Sequence, residues 1–188
     1  MKLVIFGGTF DPVHKAHLAI ARAAADRFSF DRVLFVPAAH PPHKRGVTHA
    51  PFADRLRMIE LAIAGEPRFE ASRLEEFTER SYSIDTIERV RASLSADDEL
   101  HFLIGADAFA EITTWHRWRD VARAVQFIVV SRPGATYEIP EGVTAERIDS
   151  VMLPVSSSEI RSALAAGERP DVLPAVVFDY ALSHRLYN

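Results

Sequence analysis

Two histidines three apart, His14 and His17, follow the stretch Leu3–Phe6, then Gly7-Gly8-Thr9-Phe10 and Asp11-Pro12. Imidazoles donate hydrogen bonds and carry charge when protonated, and at i, i+3 they share one face of a helix. An apolar run that ends in two glycines reads as a strand and a tight turn. With no Cβ in the way, such a turn brings backbone N–H groups close to an oxyanion. Asp11 is expected to cap the following helix, with Pro12 at its first position, where a missing N–H costs nothing. A helix start with two imidazoles at its positive end suits an anion whose charge grows during reaction. Alone, Gly-Gly after a strand is an ordinary turn and a surface histidine is inert; their conjunction is what points to chemistry. No Lys-Ser/Thr follows at the P-loop distance and the spacing is not G-x-G-x-x-G, which disfavours dehydrogenase-type dinucleotide binding.

A second constellation lies late in the chain. PVSSSEIRSAL (Pro154–Leu164) pairs Ser156 with Glu159 as a capping box, and Ser157, Ser158 and Arg161 stand beside it. The guanidinium fork is matched to a triphosphate, although the stretch alone also reads as a capped surface helix with a solvated arginine. A third is AHPPHKRG (Ala39–Gly46), where two prolines stiffen a loop carrying His40, His43, Lys44 and Arg45. A metal site built from His14, His17, His40 and His43 is a weak alternative, because no carboxylate is spaced with them as a ligand. The chain has no cysteine, hence no thiolate zinc site and no thiol nucleophile.

These groups need a frame. Apolar, β-branched runs at Lys2–Phe6, Val33–Pro37, Phe69–Ser72, His101–Ile104, Phe127–Ser131 and, more weakly, Arg147–Leu153 read as strands. Between them, Leu18, Ala21, Ala25 and Phe28 share a helical face, as do Leu56, Ile59 and Ile63, and Ile84, Ile87, Val90 and Leu94. The fold class expected is α/β, a Rossmann-like doubly wound parallel sheet with a C-terminal helical segment, in one domain over residues 1–188. Ligands in such sheets sit at the carboxyl ends of the strands, which selects the loops after Phe6, Pro37, Ile104 and Leu153. Gly134–Asp149 reads as a surface excursion, and a last helix over Leu173–Leu186 is expected to turn Val176, Tyr180 and Leu182 inward. A net charge of −4 over 188 residues argues against a general nucleic-acid or membrane-surface binder. No run approaches the roughly 20 apolar residues of a membrane span, so the expected location is the cytoplasm.

GTFDPVHKAH resembles the G-x-F-(D/N)-P-x-H-x-G-H signature of the nucleotidylyltransferase superfamily, with Ala16 where the signature has glycine. SSSEIR resembles its late S-S-T-x-I-R motif, with Ser158 for threonine. PPHK is similar to the loop of nicotinate-nucleotide adenylyltransferases in which the lysine reaches ATP phosphates. RSYSIDT (Arg80–Thr86), FLIGADAFAEITTWHRW (Phe102–Trp118) and VVFDYALSHRLY (Val176–Tyr187) resemble further segments of that family, in order along nearly the whole chain.

The resemblance implies that ATP and nicotinate mononucleotide give nicotinate adenine dinucleotide and pyrophosphate by direct in-line attack of the acceptor's phosphate. It implies that His14, His17, Lys44 and Arg161 stabilise charge, with His17 on the α-phosphoryl oxygens and the imidazoles working best protonated. Gly7, Gly8, Thr9 and Phe10 would approach the nucleotide, the Gly105-x-Asp107 turn its ribose, and Ser156, Ser157 and Ser158 the phosphate end. Trp115 would stack on the pyridine ring, or serve as a core aromatic, and amides around Ser83, Ile84 and Thr86 would take the acceptor's carboxylate. Mg2+ would be bound mainly through the ATP phosphates. A sister enzyme using nicotinamide mononucleotide or phosphopantetheine, and a non-catalytic nucleotide-binding protein, remain the alternatives; oligomeric state is not readable.

Overall fold

The computed structural model describes residues 1–40, 48–131, 136–149 and 156–187. The elements run β1 (Lys2–Gly8), α1 (Lys15–Phe28), β2 (Arg32–Pro37), α2 (Phe52–Ile63), β3 (Phe69–Ala71), α3 (Ser83–Ala92) and β4 (Glu99–Gly105). They continue with α4 (Ala106–Ala110), α5 (Trp118–Ala124), β5 (Gln126–Ser131), β6 (Ala145–Asp149), α6 (Ser157–Ala165) and α7 (Ala175–Ser183). The six strands form one parallel sheet in the order β3-β2-β1-β4-β5-β6. Strand order reverses between β1 and β4, which opens a crevice beyond their carboxyl ends, where Gly7-Gly8 and Gly105 lie.

Both faces are covered, as the near-continuous apolar strands require. Val4, Phe6, Val33, Phe35 and Leu103 join one core with residues of α1, α2, α6 and α7. Their neighbours Leu3, Ile5, Leu34, Val36 and Phe102 join the other with α3, α4 and α5. This is the period-2 alternation of a strand read out as two layers of helix. Phe35 centres the first face, with the rings of Phe6, Phe10 and Phe69 at 5.4, 5.7 and 5.3 Å. Truncating it to alanine would cost about 3–5 kcal/mol.

Two expectations need correction. The segment read as a surface excursion contains β6, an edge strand with only Ile148 buried, so its sequence carries little apolar signal. In the last helix Val176 and Leu182 face solvent, 47% and 61% exposed, while Val177 and Ala181 turn inward; Leu173, expected as its first residue, is buried ahead of the helix. Val177 and Ala181, four apart, form the stripe that packs; Val176 and Leu182 lie off it. Residues 150–155, which include the end of the expected last strand, lie outside the described ones. No described helix is long and apolar enough to cross a membrane.

Candidate active site

The loop between β1 and α1 is held by other parts of the chain. The Thr9 carbonyl accepts from Arg55 Nη1 (2.7 Å), the Asp11 carbonyl from Arg161 Nη1 (2.8 Å) and the Pro12 carbonyl from Ser157 Oγ (3.1 Å). The Asp11 carboxylate accepts from the amides of His49 (2.7 Å) and Ala50 (3.1 Å) and from the Tyr187 hydroxyl (2.7 Å). Asp11 is therefore not the helix cap that the sequence suggested. It is 4% exposed and works as the hub of the loop, and His14 is the N-cap of α1. The Asp11–Pro12 peptide is cis. Arg55 is wholly buried, and its Nε also donates to the Ala50 carbonyl (3.1 Å). Burial pulls its guanidinium below the usual range, and the Asp11 charge opposes that.

Phe10 explains the second glycine. It has φ of 48°, and its buried ring lies over Gly8, where an added Cβ would come within 3.1 Å of it. The pair Gly8–Phe10 thus serves packing of the loop onto the sheet.

His14 and His17 stack, with ring centroids 3.7 Å apart, and the ring of Phe10 meets His17 edge-on at 5.0 Å. The backbone N–H of His14 donates to His17 Nδ1 at 3.2 Å. A nitrogen that accepts a hydrogen bond carries no proton, so His17 keeps its proton on Nε2. His14 is 5% exposed and burial pushes it down to about 4, so it is neutral near pH 7; its Nδ1 has no partner among the described residues. The methyl of Ala16, between the two histidines, is buried.

The late motif joins this loop. Ser156 caps α6, accepting from the Glu159 amide (3.3 Å), while Glu159 takes the Ser156 amide (2.8 Å). Ser156 and Ser158 hydroxyls lie 3.1 Å apart, and Ser157 and Arg161 make the two bonds to loop carbonyls given above. The N-terminal ends of α1 and α6 are thereby brought to one loop. Lys44, in the stretch 41–47, lies outside the described residues.

On the other side of Gly7, Gly8 and Thr9 is a cavity of about 400 Å³ beneath the carboxyl ends of β1 and β4. Gly105, Ser83, Thr86 and Trp115 stand in its wall. Trp115 meets Phe102 edge-on at 6.0 Å. The side chain of Ile84 is in the core, so only its backbone can serve a ligand. At the start of α3 the amides of Asp85 and Thr86 are directed to the Tyr82 carbonyl (3.1 and 3.4 Å), which leaves Ser83 and Ile84 as the first-turn amides. Asp107 is exposed on the first turn of α4 and is not in the wall.

Glu75, Tyr82 and His116 also line the cavity and were not singled out from sequence. The rings of Tyr82 and His116 form a tilted pair at 4.4 Å, and Glu75 accepts from Thr86 Oγ1 at 2.6 Å. His40 ties this side to the second strand's loop: its Nδ1 lies 2.9 Å from the Thr78 carbonyl and its amide donates to Ser81 Oγ (2.9 Å). Arg55 did leave a signal, a charge on the apolar stripe of α2 at i, i+4, i+8 with Ile59 and Ile63. Tyr187 left none.

Residues 5–163 match the family described as cytidylyltransferase-like. A "Probable nicotinate-nucleotide adenylyltransferase" of Solibacter usitatus is 69% identical over 188 residues, all of both chains. One of the same description from Citrifermentans bemidjiense is 39% identical, covering 100% of this chain and 98% of its own. Among solved structures, the nicotinic acid mononucleotide adenylyltransferase of Plasmodium falciparum complexed with NaAD superposes with a TM-score of 0.80 at 20% identity, covering 99% of this chain and 97% of its own. That likeness confirms the sheet order and its helical layers. With the two curated relatives matched end to end, the chain belongs to the nicotinate-nucleotide adenylyltransferase family, within the cytidylyltransferase-like proteins.

Proposed function

We propose that the chain transfers the adenylyl group of ATP to nicotinate mononucleotide, in the cytoplasm, releasing pyrophosphate and forming nicotinate adenine dinucleotide. The observation that carries this reading is the meeting of two helix N-termini on one clamped loop beside an aromatic-walled cavity. An oxygen of the acceptor's phosphate bonds to the α-phosphorus, and the bond from that phosphorus to the bridging oxygen breaks. The acceptor's phosphate is already an anion, so no protein nucleophile or general base is needed, and catalysis reduces to alignment and charge stabilisation.

His17 donates from Nε2–H to the α-phosphoryl oxygens as charge builds on them. His14 stacks against it and sets its position through the N-cap amide. Arg161 and the hydroxyls of Ser156, Ser157 and Ser158 would hold the β- and γ-phosphates, a role the family resemblance also gives Lys44, with Gly7–Thr9 and Gly105 along the nucleotide and Asp107 at its ribose. The cavity takes the pyridine ring against Trp115. Its described wall contains no lysine or arginine, so the acceptor's carboxylate falls to the amides of Ser83 and Ile84.

Magnesium would be held by the nucleotide's phosphates and water. Among the described residues no three His, Asp or Glu side chains converge to hold a metal, and no step is routed through the ion.

The test is to supply Mg-ATP with either nicotinate or nicotinamide mononucleotide and identify the dinucleotide. A preference of tenfold or more for the nicotinate form, with pyrophosphate released only when acceptor is present, is the expected result. A preference for the amide would overturn the acceptor assignment, and pyrophosphate release without acceptor would overturn adenylyl transfer.

A further inference from the structure

We propose that Tyr187 is a positioning residue for adenylyl transfer, its hydroxyl latching the Asp11 carboxylate so that loop 9–14 presents His17 in register. The inference rests on the reading above and assigns a role to the segment beyond α7.

Three observations carry it. First, Tyr187 Oη donates to Asp11 Oδ1 at 2.7 Å across 176 residues; the other hydrogen-bond donors to that carboxylate are two backbone amides, and the His49 ring Nδ1 lies 3.7 Å from Oδ2. Without the hydroxyl, Oδ1 keeps one donor, the longer 3.1 Å bond from Ala50. The phenol is a secure donor, because burial and then the Asp11 charge raise its pKa.

Second, the backbone that delivers Tyr187 is strained. α7 ends with the Leu186 amide on the Ala181 carbonyl (2.9 Å) and the Arg185 amide on the Leu182 carbonyl (3.1 Å). This is a Schellman turn in which arginine, at φ 53°, holds the left-handed position that favours glycine. Tyr187 itself has φ of 69°. Left-handed conformations in non-glycine residues persist where surrounding contacts over-determine them, and they cluster at functional sites. Here the over-determining contact of Tyr187 is Asp11.

Third, the loop that Tyr187 holds leads into the N-cap whose amide fixes the His17 ring. A displacement of Asp11 is therefore transmitted through Pro12 and Val13 to the donor nitrogen. A misplacement of about 1 Å at a reacting group can cost about a hundredfold in rate.

The same helix supplies the control. Tyr180 Oη donates to Asp54 Oδ1 at 2.8 Å, the same chemical bond made away from the loop. The experiment compares Tyr187→Phe and Tyr180→Phe in the full chain, with Mg-ATP and nicotinate mononucleotide as substrates. It reads kcat, both KM values, Tm and the His17 ring signals in 15N-edited NMR of ligand-free protein. The expected result is a kcat about tenfold lower in Tyr187→Phe, with the acceptor's KM within about twofold. The Tm change should match that of Tyr180→Phe, and the His17 signals should shift in Tyr187→Phe alone. Equal kcat in the two variants would overturn the latch, and so would a fall in kcat with unmoved His17 signals. If the wild-type chain forms no dinucleotide, the functional reading fails, while the His17 signals still decide the latch.

Discussion

The two halves of the site are built on opposite terms. The loop at 9–14 has three carbonyls taken by side chains from α2 and α6, and a buried carboxylate with three donors. The cavity across Gly7–Thr9 is walled largely by apolar and aromatic groups, and its polar ties are the short bonds of Glu75, Ser81 and His40. On the proposed function, the first half would fix donor positions before a ligand arrives, as a transition state requires. The second supplies area and stacking, which serves ground-state binding. Loss at the loop should therefore appear in kcat, and loss at the cavity in KM.

The sharpest division is expected from His17→Ala. Removing one preorganised donor typically costs roughly 10²–10³-fold in kcat, and the acceptor's KM should move little; steady-state kinetics on the folded variant measure both. A normal kcat would erase the contrast between the halves. Trp115→Ala should act the other way, raising the acceptor's KM about ten- to hundredfold, as loss of one base-stacking aromatic does, with kcat within a few-fold. Thr86→Val strikes the cavity's support: Glu75 loses its hydroxyl donor while its other oxygen is already buried without a partner among the described residues. Chemical denaturation should show a loss of about 1–3 kcal/mol, with a smaller effect on turnover than Trp115→Ala.

The smallest effect concerns pH. His14 is held down to about 4, below its ordinary 6.5, by burial, so between these values the unfolded chain binds the extra proton. Stability should fall as pH is lowered from about 6.5 towards 4. His101, buried in the sheet and shifted in the same direction for the same cause, adds to the slope. In His14→Asn the Tm difference between pH 7 and pH 5 should shrink without vanishing, and an unchanged difference would remove His14 from this account.

What the sequence showed and what it hid follow from the same contrast. The strands, the helix stripes and both serine- and histidine-bearing helix starts were legible, because periodicity and capping are local. Asp11 was misread for the same reason: Asp-Pro before a helix has a strong local meaning, and its actual partners lie 38, 39 and 176 residues away. The inward face of α7 differs from the expected one because the four-residue spacing of Val177 and Ala181, not the largest side chains, sets the face that packs. At the cavity, Trp115, Ser83 and Thr86 lie in segments that the sequence singles out, whereas Glu75 and the tilted Tyr82–His116 pair depend on how loops fold back on the sheet. The lowered pKa of His14 is beyond pattern reading, since its burial in the folded chain decides it.

The central claim is that the protein presents His17 to the nucleotide as an Nε2–H donor, fixed by the His14 amide. The direct measurement is a long-range 1H–15N spectrum of the ligand-free protein at pH 7 with its histidines labelled. An Nδ1 without a proton and a protonated Nε2 on His17 are the expected result. An imidazolium, or a ring protonated on Nδ1 alone, would contradict it.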